Sequence, residues 1–567
     1  MKKEKVPLSE YPRPQLKRDS YMTLNGLWEY AITSQEAFPH SFMGNVLVPF
    51  SIETQKEINH ILQPNEFLYY RKSFKLDKDF NRGKVFLNFT AVDQIAKVWI
   101  NNRYLGEHIG GFLPFSFDIT KYIKENNVII VQVKDVTDTS YYQRGKQKLH
   151  HGGIWYTPQS GIYLPVWLES TPKKYVHSLR LVPDIDNNII NIKINSDDTY
   201  DAKIILNNQT IDVKTNVNNK IKIDNVHLWD VNDPYLYEFD VLLGEDKISS
   251  YFGMRKISMK KDEKGINRIY LNNKPIFMSG VLDQGYYEQT LLTPKSDEDY
   301  INDIKLIKNL GFNCIRKHIK IETLRWYYYC DKLGVLVWQD FVNGGTKYKL
   351  STISFPLITN IHLKDNKYSL FSRKDEIGRK YFIRDAIDTV SYLFNNPSIV
   401  LWTIFNEGWG QFDAEELTSI IKGIDNTRLI DHASGWHDQK VSDVKSSHVY
   451  FKKYKLPKLE DNRAIVLSEF GGYSLPIEGH MQNEKTFGYK SFKDKNELTN
   501  AIVNLYDEQI LPNIKKGLCA SIYTQLSDVE EEINGLITFD RKIIKVNEKD
   551  IQDMNKRLYS EVNDEHI

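Results

Sequence analysis

Cysteine is scarce in this chain. Cys314, Cys330 and Cys519 are the only three in 567 residues. Their number is odd and none form a C-x-x-C pair, which argues against a disulfide framework or a zinc site and fits a reducing compartment. Charge of one sign is also lacking: 75 Lys and Arg stand against 74 Asp and Glu, without the basic excess that a nucleic-acid partner requires. No apolar run approaches the roughly 18–20 residues of a membrane span. Internal repeats and low-complexity tracts are missing too. The basic start at residues 1–5 has no apolar stretch behind it, so no signal peptide is read and the expected location is cytoplasmic. Aromatic residues, by contrast, are plentiful: 13%, with 34 Tyr and 10 Trp. Large β-domains explain this most simply, and sugar-stacking surfaces are the sharper reading.

The chain changes texture twice. Residues 1–172 hold many short strands with turn signals between them, as at 85–89, 115–119, 128–133 and around the Asn101-Asn102 hairpin turn, which predicts a jelly-roll sandwich. Residues 173–260 carry at least four more candidate strands and predict a small immunoglobulin-like sandwich. In residues 261–567, short apolar strands alternate with amphipathic helices. Strands are expected at 275–279, 312–316, 335–340, 399–406, 429–432, 447–450, 465–469 and 520–525, with helices at 297–309, 323–333 and 381–395. Eight such βα units in about 300 residues predict a TIM barrel.

A TIM barrel works at the C-terminal ends of its strands. The fourth strand ends in Phe405-Asn406-Glu407-Gly408 and the seventh in Leu467-Ser468-Glu469-Phe470-Gly471. Either Glu alone reads as a solvated loop residue. Strands four and seven, however, face each other across a closed barrel, and two carboxyls across a cleft are what glycoside hydrolysis needs: one to protonate the leaving oxygen, one to attack the anomeric carbon.

Several segments then converge: Tyr11-Pro12-Arg13-Pro14 with Leu24-Asn25-Gly26-Leu27-Trp28, Tyr70-Arg71, Val98-Trp99-Ile100-Asn101, Ser160-Gly161-Ile162-Tyr163, Leu228-Trp229 and Phe252-Gly253-Met254-Arg255. With the Asn406-Glu407 pair and Glu469, the chain resembles glycoside hydrolase family 2, the group of β-galactosidases, β-glucuronidases and β-mannosidases, from about residue 11 to about 545. The resemblance implies a retaining double displacement with Glu469 as nucleophile and Glu407 as acid/base, their carboxyls about 5–5.5 Å apart. It implies that Asn406 binds the sugar 2-hydroxyl, that Arg316 supports the nucleophile and that Tyr450 donates a hydrogen bond to it.

Further strand ends supply candidate substrate binders: His318 after strand two, Asp340 at the end of strand three, Trp436 and His437 after strand five, and His448 on strand six. Trp409 is read equally as sugar platform or core. The donor- and aromatic-rich loop at 144–156 is a candidate wall of the cleft, which would make the enzyme exo-acting.

Two departures matter. Where many relatives carry Gly-Val-Asn-x-His-Glu after strand one, this chain has Gly280-Val281-Leu282-Asp283-Gln284-Gly285. Asp283 and Gln284 become candidate sugar binders, and neither metal nor cofactor is expected. The Asn-x-Lys-Gly motif by which β-glucuronidases read a carboxylate is replaced by Glu532-Ile533-Asn534-Gly535, which disfavours a uronate. The leading expectation is a retaining exo-β-glycosidase on a small or oligosaccharide glycoside, first a β-galactoside. The alternatives are a β-glucuronidase, a β-mannosidase or an inactive carbohydrate-binding protein. Homo-oligomer formation stays open.

Overall fold

The computed structural model describes residues 6–357, 359, 362–460 and 462–563; the basic start at 1–5 lies outside them. Up to residue 171 two antiparallel sheets face each other, one of four strands and one of six. Alternating inward residues build their shared core, including Leu68, Tyr70, Val85, Leu87, Val98, Ile129, Val131 and Leu168, as the period of a half-buried strand demands. A three-stranded and a four-stranded sheet follow between Ser178 and Phe252, closed around Ile192, Ile204, Phe239 and Val241.

The last part is built on eight parallel strands: β1 (Met278–Asp283), β2 (Cys314–Lys317), β3 (Leu336–Asp340), β4 (Ile399–Thr403), β5 (Leu429–Asp431), β6 (Val444–Val449), β7 (Ala464–Gly471) and β8 (Leu518–Thr524). They lie in the order β5-β4-β3-β2-β1-β8-β7-β6. Between β5 and β6 no ladder forms. Asp443 joins them instead: its amide donates to the Ile430 carbonyl at 3.1 Å, and its carboxylate accepts from the Ile430 amide at 2.9 Å.

Among the described residues the helices of ten or more residues are α1 (Asp297–Asn309), α2 (Leu324–Leu333), α3 (Glu376–Leu393), α4 (Ala414–Ile424), α5 (Lys495–Gln509) and α6 (Glu548–Asn563). The Ser296–Asp299 capping box starts α1, and Tyr300, Ile304 and Ile307 bury its apolar stripe. Gly334, at φ 75°, ends α2 in the left-handed region. The expectation of eight full βα units needs correction. Among the described residues no helix follows β5 or β6. The connection at 432–443 is short and polar, without the apolar 3–4 spacing a docking helix needs, and that at 450–463 is interrupted by Pro457.

The second sandwich is locked to the barrel from below. Buried Arg255 donates to the carbonyls of Pro397, Thr427 and Ile399. The Trp229 indole donates to the Asp331 carbonyl at 2.7 Å. A Cβ on Gly253 would fall 3.0 Å from Pro397. In the first sandwich Tyr11, Arg13 and Arg18 all converge on buried Glu169.

Candidate active site

The barrel strands carry their polar residues at their C-terminal ends, where the apolar interior gives way to loops. Arg316, on β2 and wholly buried, organises the centre. It grips Asp340 at the end of β3 through Nε and Nη2, at 3.0 and 2.9 Å, and donates to Glu469 Oε1 on β7 at 3.0 Å and to Asn406 Oδ1 at 2.8 Å. A charge of this kind is tolerable in the interior only when paired and fully hydrogen-bonded, and every arm of this fork has a partner.

Glu469 is 5% exposed. Burial alone would raise its pKa, but the adjacent His448 imidazole and Arg316 guanidinium, with the hydrogen bond from Tyr450, hold it well below the usual carboxylate range. It is therefore ionised near neutral pH. Tyr450 also contacts Thr524 Oγ1 at 2.9 Å and stacks on Tyr489 with ring centroids 4.0 Å apart.

Glu407 is 9% exposed and sits at φ 49°, between Asn406 and Gly408 at the turn after β4. A non-glycine residue in the left-handed region is costly and is kept where surrounding contacts hold it. Here the Glu407 amide donates to the Ser434 carbonyl at 2.9 Å, fastening the turn to the loop after β5. Burial first, and the negative Glu469 second, raise the Glu407 pKa above the ordinary value, against the opposing bond from His448. One carboxyl is thus biased to keep its proton while the other is biased to lose it, the division a general acid and a nucleophile require.

His448 joins the pair. Its Nδ1 is 2.8 Å from Glu407 Oε1 and 3.6 Å from Glu469 Oε2. One ligating atom from each of Glu407, His448 and Glu469 lies within 4.8 Å of the others. At least one oxygen of each carboxyl can therefore approach a common atom placed between them. Arg316 already supplies positive charge here, so we read the trio as an acid–base set rather than a cation site.

The remaining predicted residues divide. Asn406 belongs to the centre: its Oδ1 is taken by Arg316, and its Nδ2 is buried without a partner, a donor available to a hydroxyl. His318 bonds Asp340 Oδ2 at 2.9 Å, and burial lowers its pKa to about 4, leaving a neutral imidazole at pH 7. Trp436 is buried with its ring 6.3 Å from that of His448.

Three others have their polar atoms engaged elsewhere. Both Asp283 oxygens are used, by the Lys317 ammonium at 2.5 Å and the Gly285 amide at 2.8 Å. Gln284 donates to Gln525 Oε1 at 2.8 Å. His437 uses both ring nitrogens on the backbone of Leu363 and Thr352, closing the long segment between β3 and β4.

The 144–156 loop of the first sandwich reaches the barrel rim. The Arg144 amide donates to the Asn343 carbonyl at 3.0 Å, the Gly153 amide to Glu531 at 2.8 Å, and the Tyr156 hydroxyl to Glu532. Trp155 lies 5.0 Å from Trp409, ring to ring. The loop brings Lys146, 6% exposed. No ion pair or hydrogen bond of the Lys146 ammonium occurs among the described residues. It lies 5.8 Å from the Trp409 ring and 5.3 Å from that of Tyr156, and its charge acts on both Glu407 and His318. Sequence reasoning marked the loop but not this residue. It also missed Ser434, Ser468 and Tyr489, for which no motif or spacing stands out.

Three family descriptions match the chain in succession: the sugar binding domain of the family 2 glycosyl hydrolases at residues 33–172, a family 2 segment at 177–255 and the family's TIM barrel domain at 263–545. A β-galactosidase of Thermoanaerobacter pseudethanolicus is 25% identical over 499 residues, covering 81% of this chain and 60% of that protein. This chain therefore spans about 60% of the length of that relative. Among solved structures, a β-D-glucuronidase of Dictyoglomus thermophilum superposes with a TM-score of 0.74 at 19% identity, covering 97% of this chain and 98% of that one. A β-galacturonidase of Eisenbergiella tayi gives 0.71 at 16%, covering 96% and 99%. Similarity at that identity speaks for the fold.

Proposed function

The chain belongs to glycoside hydrolase family 2, and on that premise we propose that it is a retaining exo-β-glycosidase removing terminal β-linked sugars, first of all β-galactosides. The observation that carries the reading is the pairing of Glu407 and Glu469: oxygens within 4.8 Å, one pKa raised and one lowered. Glu469 attacks the anomeric carbon while Glu407 protonates the departing oxygen. Once Glu469 is an ester its charge is gone, the Glu407 pKa falls, and Glu407 takes a proton from the incoming water. The unpaired Asn406 Nδ2 suits the sugar 2-hydroxyl, and the 144–156 loop supports exo action by walling one side of the rim. The three cysteines are free and buried, which suits the cytoplasmic setting we assign.

A panel of nitrophenyl β-glycosides, with proton NMR of the first-formed anomer, tests this. β-Galactoside cleavage with retention is expected; inversion, or inertness across the panel, overturns it. A second reading, a uronide substrate, is favoured by the unpaired Lys146. Glu532, the acid that argued against a uronate, is engaged with Tyr156 and Asn534. Under that reading Lys146→Met raises KM for a β-uronide about tenfold or more, the scale of one lost charged contact, and changes KM for the neutral glycoside little. Under the galactoside reading the two KM values move together.

A further inference from the structure

His448 is placed where a sugar contact would not need it. Its side chain has no exposed surface, and both ring nitrogens are occupied. Nε2 lies 2.9 Å from Ser434 Oγ and 3.4 Å from Arg316 Nη1. Arg316 Nη1 already donates to the Ser468 carbonyl and to Glu469 Oε1, and Ser434 Oγ donates to Ser468 Oγ at 2.8 Å, so Nε2 is held by this network, while Nδ1 faces Glu407 Oε1 at 2.8 Å, a carboxyl oxygen that accepts an N–H. Gly435, at φ 88°, makes room for the ring: a Cβ there would fall 2.6 Å from it. The charged groups facing the imidazole are Glu407 after β4, Glu469 on β7, Arg316 on β2 and Asp431 on β5.

We propose that His448 is a positioning residue for the acid/base: its Nδ1–H occupies Glu407 Oε1, so that the transferable proton is confined to Oε2. This deepens the glycosidase reading and rests on it. In the first half-reaction the Oε2–H bond breaks as its proton passes to the glycosidic oxygen. The C1–O bond breaks with its electron pair staying on that oxygen, and the Glu469–C1 bond forms. In the second, water bonds to C1 and gives its proton to Glu407 Oε2, while the Glu469–C1 bond breaks. The imidazole gains and loses no proton. Its bond to Oε1 becomes charge-assisted as Glu407 ionises, so it strengthens when the proton leaves. It thereby opposes burial and Glu469, which would otherwise make Glu407 too weak an acid.

Two variants test this. His448→Leu keeps the bulk and removes the donor; His448→Asn keeps an amide donor near the position of Nδ1. For His448→Leu the alkaline limb of kcat/KM should rise by about one pH unit, as expected when a hydrogen bond to the ionised form is lost. The rate on a phenyl glycoside should fall ~100-fold, and on a dinitrophenyl glycoside, whose departure needs no proton, less than ~10-fold. His448→Asn should restore the limb and most of the rate. An unmoved limb with equal losses on both leaving groups would mean a packing role and overturn the proposal. A lowered limb would mean that the ring itself carries the proton, and would overturn it too. Esterification of Glu469 by a fluorinated glycoside, read by intact mass, shows that the Leu variant is folded. A carbon-13 NMR titration of the Glu407 carboxyl, assigned by its loss in Glu407→Gln, reads the same shift without turnover. A higher pKa in His448→Leu than in the unmodified protein supports the proposal, and an equal one ends it. If the unmodified protein cleaves no β-glycoside, the glycosidase reading fails while this titration still decides the role of His448.

Discussion

Two arcs of the same barrel rim treat buried polar groups in opposite ways. Along β1, the loop after β2 and the loop after β8, the charged and amide groups named here are matched. Lys317 sits between Asp283 and Glu322, and Lys320 adds a second cation to Glu322. Gln284, Gln525, Asn534, Glu532 and Tyr156 form an unbroken hydrogen-bond chain. Lys545 pairs with Asp528 at 2.7 Å. Along β4, β6 and β7 the matching stops. Two carboxyls share one imidazole with their pKa values pushed apart, and among the described residues Asn406 Nδ2 has no partner and Lys146 has no counter-ion. The first arc is what stability selects, because an unpaired buried polar group costs free energy. The second keeps that cost where a ligand can relieve it, so a perturbed, incompletely matched cluster marks the working side.

The comparison breaks most sharply at Glu469. Glu469→Gln should lower kcat by ~10⁴-fold or more on every glycoside, as expected on loss of a nucleophile, while leaving thermal unfolding nearly unchanged. Retention of more than a hundredth of the activity would move the nucleophile elsewhere. Next, Glu407→Gln should cost ~10²–10⁴-fold on substrates with poor leaving groups and erase the alkaline limb of the pH profile. That limb arises as Glu407, with its raised pKa, loses its proton; glutamine has none to lose. A persisting limb would assign it to another group.

On the matched arc the effect changes kind. Lys317→Met strands Asp283 and Glu322 and should cost about 3–5 kcal/mol, the price of a broken buried pair, seen as a lower denaturation midpoint. The kcat of the folded fraction should stay within a few-fold, and a kcat collapse in folded protein would place β1 among the working strands. Smallest of all, Gln284→Leu should cost about 1 kcal/mol for one lost hydrogen bond and leave KM within about threefold. A larger rise in KM would restore Gln284 as a sugar contact.

Much of the fold was legible because period and punctuation are local properties. The stripe of Tyr300, Ile304 and Ile307 marks α1 at 297–309, as read from the sequence, and the structure adds the Ser296 cap. All eight expected strands overlap β1–β8. The helixless connections after β5 and β6 were not read in advance, since eight strands suggested eight complete units. Some of the segments that carried the family resemblance outside the barrel prove to be joints, while others, such as that of Val98 and Ile100, build the first sandwich's core. Arg255 and Trp229 clamp the second sandwich to the barrel, and Tyr11 and Arg13 clamp the amino-terminal stretch to Glu169.

At the site, strand-end position was enough to mark Glu407, Glu469, Arg316 and Asp340. It was not enough to separate His448, held between two carboxyls, from His437, whose nitrogens go to backbone. Both are histidines at a strand end, and only their neighbours differ. Asp283 looked free for a sugar because its cation, Lys317, lies on the neighbouring strand.

By itself the sequence determined the strand-and-helix order, the architecture of two sandwiches and a barrel, and the two acids at the ends of β4 and β7, because hydrophobic period, caps and strand termini are written in neighbouring residues. The tertiary structure alone decided which polar groups cancel and which are left over. Charge compensation and hydrogen bonding join residues more than a hundred positions apart, such as Arg316 with Glu469 and Tyr156 with Glu532, and no local pattern records those distances.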